Sequence, residues 1–263
     1  EVNNYIKVPW EIYTLGEDCT STTNKCWRIM SINNDGSITI LRDKSYTDWR
    51  FDNTVNTTAR DFNGNYTSTY GYNDLLANTP TAGHPEEYRE YSGMYIYLYG
   101  STGYQNTIIK PYSKILQPVD MCLNKMSSYT GINDVSYNTT TRVTDTCNID
   151  GKENTVPVSP LKNQYVRLPY LEEYINISLE STCTQNTQNQ CRNQNFMYQN
   201  QLFWLSNGSN IYSWIMNFVS FSGRASGEAA YRLYGVRPIV VLKTTTLIDN
   251  GIGTQADPYI IEY

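Results

Sequence analysis

The sequence predicts an α+β domain built from mixed, mostly antiparallel sheets, with one or two helices and long loops. Three observations carry that prediction. Short runs rich in Val, Ile, Tyr, Phe and Trp are bounded by Asn, Gly and Ser, the pattern of strands joined by turns. Helix signals occur in two stretches, 107–126 and 165–175. The segments between are dense in Asn, Thr and Tyr.

The densest apolar stretch is 203–243, which holds FWL, IYSWIMNFVSF and VRPIVVL. NGSN and SGRASGE read as the connections between them. Val236, Ile239, Val240, Val241 and Leu242 form a near-continuous apolar run, which predicts a strand covered on both faces. The middle run mixes aromatics with Ser and Asn, so it reads as a strand with one face in the core and one in water. Trp204, Ile215, Phe218 and Val219 are expected inside, while alternation leaves Trp214 undecided.

Taken in order, residues 26–32 and 38–41 are β-rich runs around Asn33-Asn34-Asp35-Gly36-Ser37. Asp and Gly tolerate the positive φ of tight turns, so these runs predict a hairpin. Residues 51–110 read as an irregular Tyr/Asn-rich insertion with one strand at 93–99. A helix is expected after Pro111, from the spacing of Ile115, Leu116, Val119, Cys122 and Leu123, although Pro118 argues for a break. Residues 165–168 read as a strand running into a helix fronted by Pro169. Glu172 and Glu173 fall in that helix's first turn, where the dipole favours acids, and Leu171, Tyr174 and Ile175 face the core. Residues 257–261 are expected to be a terminal edge strand. No internal repeat or linker-like shift is evident, so 1–263 reads as one domain.

Bulk properties narrow the function classes. The chain has 263 residues and a formal charge of -5, with a sequence pI of about 5.0. Its basic residues are scattered, which argues against a nucleic-acid partner. No apolar run approaches the roughly 20 residues that span a bilayer. The sequence starts at Glu1 rather than Met, which suggests a trimmed or processed form. Tyr outnumbers Phe 24 to 6. Tyrosine is a common contact residue on recognition surfaces, but AT-rich codon usage gives the same bias.

Six cysteines fall into three neighbouring pairs, Cys19 with Cys26, Cys122 with Cys147 and Cys183 with Cys191. Six thiols allow about 15 connectivities. Neighbour pairing would clasp short polar loops that have little apolar surface of their own. Metal binding is the alternative, but there is no C-x-x-C spacing and only one His. Disulfides, and with them an extracellular or cell-surface location, are the expectation.

Several motifs together resemble one family. Val166-Arg167-Leu168-Pro169 with Glu172 and Glu173 is similar to the R-L-P-T-x-x-E-W segment of the C-type-lectin-like fold, in its formylglycine-generating-enzyme branch. Phe203-Trp204-Leu205-Ser206, the run from Tyr234 to Lys243, and the Gly251 to Ile260 ending resemble bacterial and phage surface modules of that group. So does the stretch from Trp27 to Ser37. Residues 51–160 carry no such motif. The resemblance implies paired N- and C-terminal strands and a second small sheet supporting variable loops. It also implies kinship with the variable target proteins of diversity-generating retroelements, whose ligand contacts lie in the C-terminal strands and loops.

Reactive chemistry finds little purchase. The formylglycine-generating enzymes use cysteines, and the last here is Cys191. The single histidine, His84, sits in a Gly-His-Pro-Glu-Glu turn and reads as a loop residue rather than a catalytic base. The calcium signatures of sugar-binding lectins fail at Gln117-Pro118-Val119 and at Trp214-Ile215-Met216-Asn217. Asp249-Asn250-Gly251 reads as a turn. No catalytic residue, metal or cofactor is assigned.

The expected function is therefore that of an adhesin- or receptor-type module, not an enzyme. It would bind a protein or glycan on another cell or surface through 207–232, a region open to diversification. The residues expected to face the ligand are Asn210, Tyr212, Asn217, Phe221, Ser222, Arg224, Glu228, Tyr231 and Arg232. Arg237 is expected to be structural. A pilin-like assembly subunit is the alternative reading, with an enzyme of the formylglycine-generating-enzyme-like group behind it.

Overall fold

The computed structural model describes residues 3–20, 25–51, 76–78, 89–91, 93–121, 126–127, 161–177, 195–209 and 215–263. In chain order the strands are β1 (Tyr5–Lys7), β2 (Trp27–Ile32), β3 (Ile38–Arg42), β4 (Thr47–Arg50), β5 (Leu76–Asn78), β6 (Arg89–Tyr91), β7 (Val119–Met121), β8 (Met126–Ser127) and β9 (Leu161–Gln164). They continue as β10 (Phe203–Ser209), β11 (Ile215–Val219), β12 (Ala225–Ala229), β13 (Leu233–Val236), β14 (Ile239–Leu242), β15 (Ile248–Asp249) and β16 (Tyr259–Ile261). Among the described residues there are two α-helices, α1 (Gly93–Tyr99) and α2 (Leu171–Asn176). The described chain is thus α+β and mostly sheet.

The strands form two six-stranded sheets, the first in the order β14-β3-β2-β1-β16-β15. The second runs β12-β11-β10-β13-β4, with β8 lying against β10. β5–β6 and β7–β9 are separate two-stranded pairs. The two ends of the chain meet in the first sheet, where β1 pairs with β16 in parallel. β16 is therefore interior, and the edge falls to two-residue β15. A very short edge strand offers little template for unwanted pairing.

The β2–β3 hairpin forms as its turn residues predict. Asn33 N–H donates to the Ser37 carbonyl at 2.8 Å, and Gly36 takes φ 81°. Asp35 Oδ1 accepts from both Ser37 N (2.9 Å) and Ser37 Oγ (2.6 Å), and these bonds hold its carboxyl below the usual carboxylate range. α2 also starts as expected. The Glu173 carboxylate accepts from Tyr170 N at 2.8 Å, satisfying an N–H ahead of the first turn. The same carboxylate pairs with Arg167 Nη1 at 2.7 Å.

Besides β16, which was expected at the edge, four elements differ from the sequence reading. Residues 93–99 form a helix, α1, not a strand. Met94, Ile96 and Leu98 alternate like a strand, but Met94 and Leu98 are buried while Ile96 is 58% exposed. Burial four residues apart is helical spacing. The helix expected after Pro111 instead ends there: a π-helical turn, Gln105–Ile109, runs into a 3-10 turn, Lys110–Tyr112, and the chain then extends into β7. The SGRASGE segment is not simply a connection, because Ala225–Ala229 is strand β12.

Last, the VRPIVVL run is not one strand. β13 belongs to the second sheet and β14 to the first. The switch falls at Arg237-Pro238, where proline removes a ladder N–H and fixes φ. Both pieces are buried near the switch. Val236 and Ile239 are each 1% exposed.

The second sheet is packed on both faces. Trp204, Met216, Phe218 and Val236 point to one side and pack with Met94 and Leu98 of α1. Phe203, Leu205 and Val219 point to the other, against Leu171 and Tyr174 of α2 and Leu41 and Ile239 of the first sheet. The first sheet has its own outer cover, in which Ile40 and Val240 pack with Tyr104, Ile109 and Leu116. Trp204, Phe218 and Val219 are inside as expected; the side chain of Ile215, and Trp214 entirely, lie outside the described residues.

Candidate ligand-binding surface

β12 is an outer strand of the second sheet, paired only with β11 on the described path. Its two ends carry different chemistry. At the β11–β12 turn, Ser220 N–H donates to Arg224 O and Gly223 N–H to Ser220 O, both at 2.9 Å. Gly223 takes φ 77°, which a side chain would oppose. The turn is tied down by Tyr174 Oη, which donates to Gly223 O at 2.6 Å, and by Tyr198 Oη, which donates to Phe221 O. Phe221 is 58% exposed there. Ser222 and Arg224 are half-buried, and Ser222 Oγ lies 2.8 Å from Ser220 Oγ.

Glu228, Tyr231 and Arg232 sit at the other end. Arg232 N–H closes a turn on Ala229 O at 3.0 Å. Its guanidinium lies 5.3 Å from the Tyr231 ring and its Nε is 3.9 Å from Glu228 Oε1. That ion pair is long and exposed, so giving it up for another partner costs little, while Glu228 Oε1 also accepts from Ala229 N at 3.0 Å. β12 has five residues, so at about 3.3 Å per residue the two ends lie roughly 15 Å apart. The residues expected to form one surface therefore divide into two groups.

Asn217 belongs to neither. It pairs with Gly227 in the middle of the β11–β12 ladder and is fully buried. A β11 with one wet face would have left it exposed, but α2 and the first sheet cover that face. Asn217 is a core residue, where the sequence reading expected it to face solvent. Asn210 and Tyr212 lie outside the described residues, as do His84, Cys122, Cys147, Cys183 and Cys191. Cys19 and Cys26 form a disulfide with Cα atoms 5.7 Å apart.

The Arg232 end gains neighbours that the sequence reading passed over. β13 pairs with β4 so that Leu233 faces Arg50 and Tyr234 faces Trp49. Leu233 is 57% exposed, and Trp49 and Tyr46 are each 41% exposed. Trp49 is fixed in place, with its ring stacked on Tyr97 at 4.9 Å and its Nε1 donating to Gly93 O at 3.2 Å. Tyr46 in turn meets Tyr104 at 4.7 Å. Tyr234 is partly buried beside this group, and that burial, with the negative charge of Glu228 added, pushes its phenol up to about 12. Only the T-D-W-R pattern at 47–50 hinted at an outward aromatic on a strand.

An open groove of about 720 Å³, lined by Lys114, Ile115, Thr245, Leu247, Glu262 and Tyr263, shares no residue with this surface. Among the described residues no group of three or more His, Cys, Asp and Glu side chains converges as a metal site would require. Asn250 and Gly251 take φ 49° and 75°, a turn between β15 and β16. No described helix is long and apolar enough to cross a membrane. Arg237 lies fully buried at the junction of the two sheets, with its guanidinium 4.7 Å from the Phe203 ring. Compared with models of protein families, with curated proteins and with solved structures, the chain matches none of them.

Proposed function

We propose that the chain is a ligand-binding module of adhesin or receptor type, of C-type-lectin-like fold and displayed outside the cytoplasm. It would bind through the rim formed by Glu228, Tyr231, Arg232 and Trp49. The observation that carries the reading is the contrast between that rim and what supports it. The second sheet is packed on both faces and cannot yield easily, whereas the β12–β13 turn and the β4 edge present aromatic and charged groups outward. Rigid aromatic anchors in a polar surround bind with little ordering cost. The pairing of the terminal strands supports the C-type-lectin-like reading, and the Cys19–Cys26 disulfide supports the extracytoplasmic one.

The test uses the labelled whole chain on a glycan array and, by flow cytometry, on intact bacterial and animal cells. Arg232→Ala, Tyr231→Ala and Trp49→Ala are expected to abolish whichever signal the unmodified chain gives, with circular dichroism unchanged. Loss of signal from Phe221→Ala alone, with the three rim variants unaffected, would move the site to the other end of β12. Absence of any signal from the unmodified chain on all surfaces would overturn the binding reading.

A further inference from the structure

Lys44 and Gln199 meet where the two sheets join. Lys44 follows β3 of the first sheet, and Gln199 lies on the segment leading into β10 of the second. They are 155 residues apart in the chain, and Lys44 Nζ donates to Gln199 Oε1 at 2.8 Å. The Gln199 amide is held in one orientation. Its Nε2 donates to Asp43 Oδ1 and to Phe196 O, both at 3.0 Å, so both amide hydrogens are used and the oxygen faces the lysine. Asp43 is fully buried, and Arg28 Nη1 stands 3.5 Å from the same carboxylate oxygen. A second contact fixes the two segments against each other, because Gln201 Oε1 accepts from Ser45 N at 3.2 Å and from Ser45 Oγ at 3.3 Å.

An amine, a carboxamide and a buried carboxylate thus stand in hydrogen-bonded sequence. Lysine attacks a carbonyl only as the neutral amine. Burial, joined by Arg237 and Arg28 and opposed by Asp43, holds Lys44 below its ordinary pKa. Gln199 Cδ is one bond beyond the oxygen that Nζ already touches, so rotation at the end of the lysine would carry Nζ over that carbon. Reactants held at such range need no encounter step, which removes much of the entropic barrier.

We propose that Lys44 and Gln199 condense into an intramolecular isopeptide bond that staples the first sheet to the approach to the second. Nζ attacks Cδ, a new Cδ–Nζ bond forms, and the Cδ–Nε2 bond breaks. Asp43, already bonded to Nε2, takes the proton that Nζ gives up and delivers it to Nε2, which leaves as ammonia. One amide replaces another, so the step consumes no oxidant, cofactor or second protein. A covalent link across so many residues would restrict the unfolded chain more than a local clasp does. This inference does not depend on the ligand-binding reading.

The test is the intact mass of the whole unmodified chain, reduced to open its disulfides. It is expected to be lighter than its sequence by one ammonia. A tryptic digest should then hold a branched peptide joining Lys44 to Gln199, with no cleavage after Lys44. Lys44→Arg keeps the positive charge at a half-exposed position and should show unchanged circular dichroism and the full sequence mass. Asp43→Asn should likewise keep its ammonia. An unmodified chain that stays at full mass after prolonged incubation at mildly alkaline pH would overturn the proposal, and so would an ammonia loss that persists in Lys44→Arg. A bond formed as readily in Asp43→Asn would overturn the part given to Asp43.

Discussion

Trp49 stacks on Tyr97 with ring centroids 4.9 Å apart and planes 29° apart. Tyr97 covers one face of the indole, so the 41% of Trp49 that stays exposed is its outer side. The strand that carries it lies at the border of the second sheet, beside β13. A ring held in this way is both a structural contact and a surface feature, and the two roles can be separated. Trp49→Phe keeps a stacking partner for Tyr97, whereas Trp49→Ala removes it at a cost of about 1–2 kcal/mol. Denaturant unfolding should rank the three chains in that order. Ligand binding should be lost with Ala and largely kept with Phe. Equal binding by all three would remove Trp49 from the proposed rim.

Asn217 gives the opposite expectation. Its position opposite Gly227, under cover on both sides, makes it a stability residue. Asn217→Asp puts a charge at a fully buried position and should cost about 3–5 kcal/mol. Asn217→Ala should cost about 1–3 kcal/mol through the lost polar contacts. Chemical denaturation midpoints read both. An Asp variant as stable as the parent would mean that this side chain reaches water.

These two residues show where sequence reasoning holds and where it stops. The β2–β3 turn and the start of α2 were legible because their chemistry is local: Asp35 caps Ser37 and Glu173 caps Tyr170 within a few residues. α1 was not legible, since Met94, Ile96 and Leu98 alternate as a strand would, and only the packing shows Ile96 outside. Asn217 was missed for a different reason: α2 was read as a helix, but nothing local says that it and the first sheet close over the face of β11 that carries Asn217. The break at Pro238 is written in the sequence, but the change of sheet is not, because a strand's partner is chosen by residues far along the chain. Trp49 joined the candidate surface for the same reason. Its register against Tyr234 links positions 185 residues apart (234 − 49).

The disulfide between Cys19 and Cys26 clasps a short loop onto the first sheet. Both cysteines are fully buried beside Tyr5, and Cys19 N–H donates to Gln255 O at 2.8 Å. The crosslink thus holds the loop against the segment leading into β16. For a sequence separation of 7, the chain-entropy model gives about 2 kcal/mol. A Cys19→Ser, Cys26→Ser chain should unfold at a correspondingly lower denaturant midpoint, and added reductant should have no further effect through this pair. An unchanged midpoint would show that Tyr5 and Gln255 hold the loop without the bond.

The 24 tyrosines set the behaviour at high pH. Burial pushes the phenols of Tyr99, Tyr104 and Tyr174 well above their ordinary value, and raises Tyr234 to about 12. A folded-state value above the unfolded one means that the folded chain holds the proton more tightly. The contribution to stability is then complete below the ordinary phenol value of about 10. For Tyr234 it fades as pH rises from there and is gone above about 12. The more deeply buried phenols ionise only when the chain opens, so alkaline unfolding should begin in that interval. Ultraviolet phenolate absorbance followed together with circular dichroism tests this. Exposed tyrosines should titrate first with the fold intact, and the rest should appear in one step with its loss. If every phenol titrated near the ordinary value while the dichroism held steady, the aromatic layer under Trp49 and Tyr46 would have to be open to water, and the rigid support argued for the rim would go with it.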